Sequence, residues 1–158
     1  MDLSTGEQAV IHKVVLAIDG SGAAERATHV AAEMVRSFDA ELDVLHVQAP
    51  VLALAGVGAG DTGSWGGSIA ARQGVERAGH DVLARAGAIL DAADIDYTAR
   101  LAHGSDIEQM CEDGHMEGAD VIVIGCRLRV ESELDGDPFR DVATRVAPCA
   151  PYTIIIPE

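Results

Sequence analysis

The chain has 158 residues, enough for one domain with a substantial core. Hydrophobic residues make up 48% of it but aromatic residues only 3%, so the core must be built from valine, isoleucine, leucine and alanine. The formal net charge of −15 argues against a nucleic-acid or anionic-membrane surface, because both require clustered lysine and arginine.

The first predicted strand, Val14–Ile18, follows an N-terminal arm of residues 1–11. The start of this arm is acidic and lacks the apolar segment of a signal peptide, so we expect a cytoplasmic protein. The strand runs into Asp19-Gly-Ser21, and Ser21 is predicted to cap a helix over Ala23–Phe38. Apolar residues at helical spacing give that helix one core-facing stripe.

The next elements are separated by a long glycine-rich segment. Glu41–Val47 is predicted to be the second strand, and residues 48–67 a flexible loop. A helix over Ser68–Ala93 follows, and three internal glycines leave its boundaries open. Alternation of apolar and polar residues predicts a third strand over Asp96–Ala102.

In the second half of the chain, four consecutive β-branched residues, Val121–Ile124, predict a strand buried on both faces, as in a parallel sheet covered by helices. Gly125 ends this strand, and a charged loop follows as far as Pro138. The other predicted elements are a helix over Asp106–Met116 capped by Ser105, a helix over Phe139–Val146 and a last strand over Tyr152–Ile156. Strands alternating with helices indicate one doubly wound α/β domain, with no internal linker or repeat.

Four segments in order resemble the universal stress protein family: residues 12–21, residues 40–47, residues 118–125, and Ala147-Pro-Cys149 before Ile154–Ile156. The resemblance runs from about Lys13 to Pro157. It implies a Rossmann-like five-stranded parallel sheet of order 3-2-1-4-5, similar to the adenine nucleotide alpha hydrolases. It also implies a homodimer, and an adenine nucleotide bound by some members only.

The carboxyl ends of the first and fourth strands predict one composite site, since ligands of open α/β sheets bind there. Asp19 is either a solvated strand-end carboxylate or an acceptor for ribose hydroxyls. By resemblance, the backbone of Val47 faces the adenine edge, although Val47 is equally explained as a core strand residue. Gly125 matches the first glycine of the family's phosphate motif.

The rest of the phosphate motif is altered in this chain. Nucleotide-binding members have Gly, two residues, Gly, about nine residues, then Gly followed by Ser or Thr. Here Leu128 replaces the second glycine and Asp137-Pro138 replaces the final pair, one residue early. Leu128 disfavours positive φ and Pro138 has no N–H to donate, so we expect weak ATP or AMP binding or none. Arg127 and Arg140 are the candidate sources of compensating charge.

Other motifs favour structural explanations. Residues 58–63 match G-x-G-x-x-G but lie inside the loop rather than between a strand and a helix, so a surface loop is preferred over a dinucleotide site. Cys111 and His115, at i and i+4, lack further metal ligands, and no metal site is predicted. His46 is best explained as a satisfied core histidine. The three cysteines are odd in number with no close pairing, which indicates reduced thiols rather than a disulfide framework.

Three functions remain open at this point. The preferred one is a non-catalytic stress-response or signalling module with a weakened adenine-nucleotide site and no required cofactor. The alternatives are an ATP-binding universal stress protein with slow or no hydrolysis, and an unrelated α/β hydrolase or transferase. No nucleophile and base pair is visible, which disfavours the last. The expected partners are a second copy joined through the last strand and an unidentified protein, without nucleic acid or membrane.

Overall fold

A computed structural model of the chain describes residues 10–48, 65–103, 111, 116–125 and 146–157. The described parts contain two long helices and a five-stranded sheet. In chain order the elements are β1 (Lys13–Ile18), α1 (Gly22–Phe38), β2 (Glu41–Gln48), α2 (Trp65–Ala92), β3 (Thr98–His103), β4 (Val121–Gly125) and β5 (Tyr152–Ile156).

The sheet has the strand order β3-β2-β1-β4-β5, and every neighbouring pair is parallel. The predicted five-stranded α/β fold and its strand order are therefore confirmed. β2 and then β3 are added on one side of β1, whereas β4 and then β5 are added on its other side. This reversal creates a crevice at the carboxyl ends of β1 and β4, which is where open α/β sheets bind ligands.

Alternate residues of β1 supply two separate hydrophobic cores, one on each face of the sheet. Val14 and Leu16 point to the face covered by α1 and α2. Val15 points to the opposite face, where Met116 and Val146 pack against it. Because both faces are covered, the buried positions of β1 and β4 are apolar without alternation, as the sequence of β4 predicted.

Helix α1 approaches the sheet closely because its buried face is made largely of alanine, including the fully buried Ala27 and Ala31. The helix ends at Asp39, which adopts a left-handed conformation with φ 54° and donates its N–H to the carbonyl of Val35. The observed bounds differ from the predicted ones by one residue at the start.

Helix α2 departs from prediction at its beginning, since Trp65 already lies within it although residues 48–67 were expected to form a loop. Its internal glycines do not interrupt it. A Cβ atom at Gly79 would lie 2.7 Å from the side chain of Leu101 in β3, and one at Gly87 would overlap the Tyr97 hydroxyl. These two glycines therefore mark places where neighbouring side chains pack closely against α2, despite the low helix propensity of glycine.

Strand boundaries also shift slightly. β3 begins at Thr98 rather than Asp96 and extends to His103, while β2 and β4 each gain one residue at their carboxyl ends. The predicted helices over 106–116 and 139–146 lie mostly outside the described residues. Among the described helices, none is long and apolar enough to cross a membrane.

Charged and polar contacts hold the amino ends of the strands together. The Asp120 carboxylate accepts hydrogen bonds from the backbone N–H groups of His12 (2.7 Å) and Lys13 (3.0 Å). Asp43 in β2 forms ion pairs with Lys13 (3.0 Å) and with Arg100 in β3 (2.9 Å). This edge lies opposite the crevice and stabilises the scaffold that positions it.

Candidate functional site

The structure brings two predicted site residues, Asp19 and Gly125, to the same crevice. Ile18, the last residue of β1, pairs directly with Gly125, the last residue of β4, so Asp19 follows immediately beside it. Asp19 is exposed and Gly125 is buried. The sequence therefore placed both residues correctly along their strands, and only the parallel pairing makes them neighbours.

The turn after β1 is shaped by Asp19 and Gly20 rather than by a serine cap. The Asp19 Oδ1 atom accepts the backbone N–H of Ser21 at 2.9 Å, and Gly20 has a φ of 84°, which favours glycine. Ser21 occupies the N-cap position of α1, but its side chain makes no capping hydrogen bond. Its Oγ atom is buried and has no partner. The predicted N-cap position is thus confirmed, whereas the side-chain hydrogen bond of a serine cap is absent.

Gly125 is required by the packing of α1 against β4. A Cβ atom there would overlap the Cβ of Ala27 and would lie 2.8 Å from the carbonyl oxygen of Ala23. Ala23 and Ala24 present backbone atoms to that position, so the helix would have to move to admit an alanine. The glycine therefore has a structural cause that does not depend on any phosphate.

Val47 lies in β2 next to this edge, with its backbone paired to Ala102 in β3. The residue before it, His46, is buried, and its Nδ1 atom lies 2.8 Å from the carbonyl oxygen of Ile18. Gln48, also buried, donates its side-chain N–H to the carbonyl of Val75 in α2. His46 is thus a satisfied core histidine, as predicted, and it ties β2 to the end of β1.

A cavity of about 200 Å³ opens beside the β1–α1 turn, between α1 and α2. Ile18, Ala24 and Ala86 are among its apolar lining residues, and Ser21 is one of its polar ones. Its remaining polar and charged lining comes from Glu25, Thr28 and Arg85. Sequence reasoning did not identify Arg85, because only the tertiary fold brings α2 beside the β1–α1 turn.

The other predicted site residues, Arg127 and Arg140, lie outside the described residues and stay predictions. The same is true of the altered phosphate motif at Leu128 and Asp137-Pro138, and of the G-x-G-x-x-G match at 58–63. Within the described part of the chain, no group of three or more histidine, cysteine or carboxylate side chains could hold a metal ion.

The expectation of unpaired cysteines is wrong for Cys111 and Cys149. Their sulfur atoms are joined as a disulfide, with the two Cα atoms 5.8 Å apart. The residues are separated by 38 positions in sequence, so spacing alone carried no signal. The turn that contains Cys149 packs against the core on the face of the sheet opposite α1.

Comparison with known proteins agrees with this architecture. The family model of the universal stress protein family matches residues 11–151. A search of curated proteins gave no significant match. Similar solved structures include a universal stress protein family member from Burkholderia pseudomallei, with 22% identity, a TM-score of 0.66 and coverage of 95% of this chain and 98% of that one.

Two further similar structures hold nucleotides. A universal stress protein family protein from Arabidopsis thaliana with AMP bound has 19% identity and a TM-score of 0.59, covering 93% of this chain and 92% of that one. The universal stress protein from Archaeoglobus fulgidus in complex with dAMP has 20% identity and a TM-score of 0.53, covering 93% and 98%. These likenesses establish the shared fold. Because the family model spans nearly the whole chain, the chain belongs to the universal stress protein family.

Proposed function

We propose that the protein is a non-catalytic, cytoplasmic stress-response or signalling module whose adenine-nucleotide site is weakened. The observation that carries this proposal is the sequence at the phosphate side, where Leu128 and Asp137-Pro138 replace two glycines and a hydroxyl residue. Pro138 has no N–H in any conformation, and Asp137 adds a negative charge where a phosphate would lie.

The glycine retained at position 125 does not argue for phosphate binding. Its lack of a side chain is explained by Ala23 and Ala27 of α1, which occupy the space a Cβ would need. Such a glycine persists in the fold whether or not a nucleotide binds. The net charge of −15 further opposes the approach of a polyanion.

The alternative is an ATP-binding universal stress protein with slow or no hydrolysis. Asp19 and Gly125 lie side by side at the crevice, and relatives of the same fold are described with AMP or dAMP bound. In this alternative Arg127 and Arg140 replace the lost backbone contacts with charge. An arginine guanidinium can donate two parallel hydrogen bonds to one phosphate, so arginine can replace lost backbone donors.

Calorimetric titration of the purified chain with ATP, AMP and cyclic AMP separates these two functions. We expect no saturable binding at low-micromolar concentrations. Low-micromolar affinity for any of the three, or nucleotide retained through purification, contradicts a weakened site and supports the alternative.

Restoring the family's phosphate motif tests whether its altered residues are what weakens nucleotide binding. The triple variant Leu128→Gly, Asp137→Gly, Pro138→Ser should gain about tenfold or more in ATP affinity, since charge-assisted hydrogen bonds become available. The matched control Asp137→Asn removes the charge but keeps Pro138. An equal gain in the control would assign the weakness to charge rather than to missing donors.

We also propose that two copies associate through β5. This strand lies at the edge of the sheet, and its residues 152–156 carry no charge in a chain of net charge −15. Tyr152 is 51% exposed and Ile154–Ile156 are partly exposed. An uncharged β-branched edge invites pairing, and two like-charged copies can meet most readily at an uncharged surface.

The orientation of β5 identifies which backbone groups are available. Tyr152 donates its N–H to the Asp120 carbonyl at 3.2 Å, so Tyr152, Ile154 and Ile156 turn their backbone groups towards β4. Thr153 and Ile155 therefore turn theirs outwards. Antiparallel pairing of two copies about a two-fold axis would satisfy these outward groups, and Pro151 and Pro157 would limit its length.

Thr153→Pro removes one outward N–H and leaves the bonds to β4 in place. We expect the variant to be monomeric by light scattering at tens of micromolar, whereas the matched control Thr153→Val stays dimeric. A wild-type mass near the monomer value of 16.4 kDa would contradict the proposed dimer. Ile155 is unsuitable for the test because it packs against the core.

A further inference from the structure

Cys111 and Cys149 have the backbone separation of a disulfide. Their Cα atoms are 5.8 Å apart, within the range of about 4.4–6.8 Å found for disulfides. Both residues are partly buried rather than sealed in the interior. Cys149 packs against the core on the face of the sheet opposite α1. A small oxidant or a small thiol can therefore reach the pair.

The domain does not need this disulfide to compensate for a small hydrophobic core. Domains that depend on disulfides are usually small and have too little core, whereas this chain has 158 residues and a hydrophobic core on each face of the sheet. We propose that Cys111 and Cys149 are a reversible modification site, a dithiol that peroxide closes to a disulfide and that thiol reductants reopen.

The chemistry needs one oxidant, hydrogen peroxide. The thiolate of one cysteine attacks a peroxide oxygen, breaking the O–O bond and forming a sulfenic acid, and the released hydroxide is protonated to water. The sulfur of the other cysteine then attacks the sulfenic sulfur, forming the S–S bond and expelling a second water. Two thiols are oxidised by two electrons while one peroxide is reduced to two waters.

Closing the bond links two positions that are 38 residues apart, and the ring so formed contains the whole of β4. Cys149 lies in a tight turn, where it donates its N–H to the Val146 carbonyl at 2.9 Å. β5 begins at Tyr152, only three residues later. The disulfide therefore anchors the entrance to the edge strand, and it restricts the unfolded chain more than the folded one.

The test uses the full chain carrying Cys126→Ser, which leaves only these two cysteines. Treatment with equimolar hydrogen peroxide should remove the mass of two hydrogen atoms and both free thiols, without forming a covalent dimer. The unfolding temperature should rise by roughly 5–15 °C and return after dithiothreitol. A peptide map should show Cys111 joined to Cys149.

Cys111→Ser and Cys149→Ser in the same background are the matched controls, since each keeps a single thiol. Neither should show a peroxide-dependent rise in unfolding temperature, and if one fails to fold the other suffices. Oxygen added without a disulfide, an intermolecular bond, or an unchanged unfolding temperature in the two-cysteine chain overturns the proposal. None of these readouts depends on nucleotide binding or on the dimer.

Discussion

A Cβ atom placed on Gly125 would overlap the Cβ of Ala27, so the last residue of β4 and the second turn of α1 are packed to the limit of backbone contact. This relationship explains why a glycine stands at the crevice without invoking a ligand. It also makes the glycine a sensitive point for the stability of the whole fold.

Gly125→Ala should therefore lower the free energy of unfolding by about 1–3 kcal/mol in nucleotide-free protein, because the added methyl group meets helix backbone as well as Ala27. Urea unfolding measures the loss. The matched control is Gly74→Ala in α2, where an added Cβ meets nothing within 4 Å and higher helix propensity should stabilise by about 0.5–1 kcal/mol. An unchanged stability for Gly125→Ala would show that packing does not require the glycine.

The β1–α1 turn predicts opposite behaviour for two neighbouring polar residues. Asp19→Ala removes the acceptor for the Ser21 N–H and should cost about 1 kcal/mol. Ser21→Ala should cost nothing or stabilise slightly, because its Oγ atom is buried without a partner and an alanine has no such group to desolvate. Thermal unfolding of both variants decides this, and a loss of about 0.5–2 kcal/mol for Ser21→Ala, as for a serine cap, would contradict the structure.

We expect the contribution of Asp120 to the free energy of unfolding to change with pH in the acid range. Backbone hydrogen bonds from His12, and then from Lys13, hold the pKa of its carboxyl below the usual value. Because the folded pKa is the lower one, the contribution is complete above the unfolded value near 4 and is lost as pH falls through the folded pKa. Asp120→Asn should cost about 1 kcal/mol at pH 7, a modest figure for a partly exposed carboxylate. Urea unfolding should show that deficit shrinking below pH 4.

The ionisation of Tyr97 makes the stability of the fold depend on pH in the alkaline range. Burial, followed by the nearby charge of Asp91 and the hydrogen bond that the hydroxyl donates to Asp91, raises the pKa of Tyr97 above 10. A raised folded pKa means that the associated stability is present below about pH 10 and is lost as pH rises through the folded value. In a Tyr152→Phe background, absorbance titration reports Tyr97 alone.

In that background Asp91→Asn should lower the pKa of Tyr97, because the charge that opposes its ionisation is gone. The control Asp96→Asn changes a carboxylate that is not among the causes of the shift. Equal effects from the two substitutions would mean that general surface charge, rather than the Asp91 contact, raises the pKa.

Much of the fold could be predicted from the sequence, because the hydrophobic pattern of each helix and strand is local. The unbroken run Val121–Ile124 requires burial on both faces, and the apolar stripe of α1 requires one covered face, so alternating elements of these kinds predict a parallel sheet between helices. The strand order was taken from the family resemblance, and the observed pairing confirms it. Residues Asp19 and Gly125 were identified because each ends a strand.

Features that depend on distant contacts were decided only by the tertiary structure. The sequence predicts that Gly79 and Gly87 weaken their helix, yet at these two positions Leu101 and Tyr97 pack closely against α2. The sequence predicts Ser21 as a helix cap, and Ser21 does occupy that position, but its buried hydroxyl makes no capping hydrogen bond. Cys111 and Cys149 are 38 residues apart in sequence, and only the tertiary structure brings their Cα atoms within 5.8 Å. Sequence patterns report which face of an element is buried, whereas packing determines what that face touches.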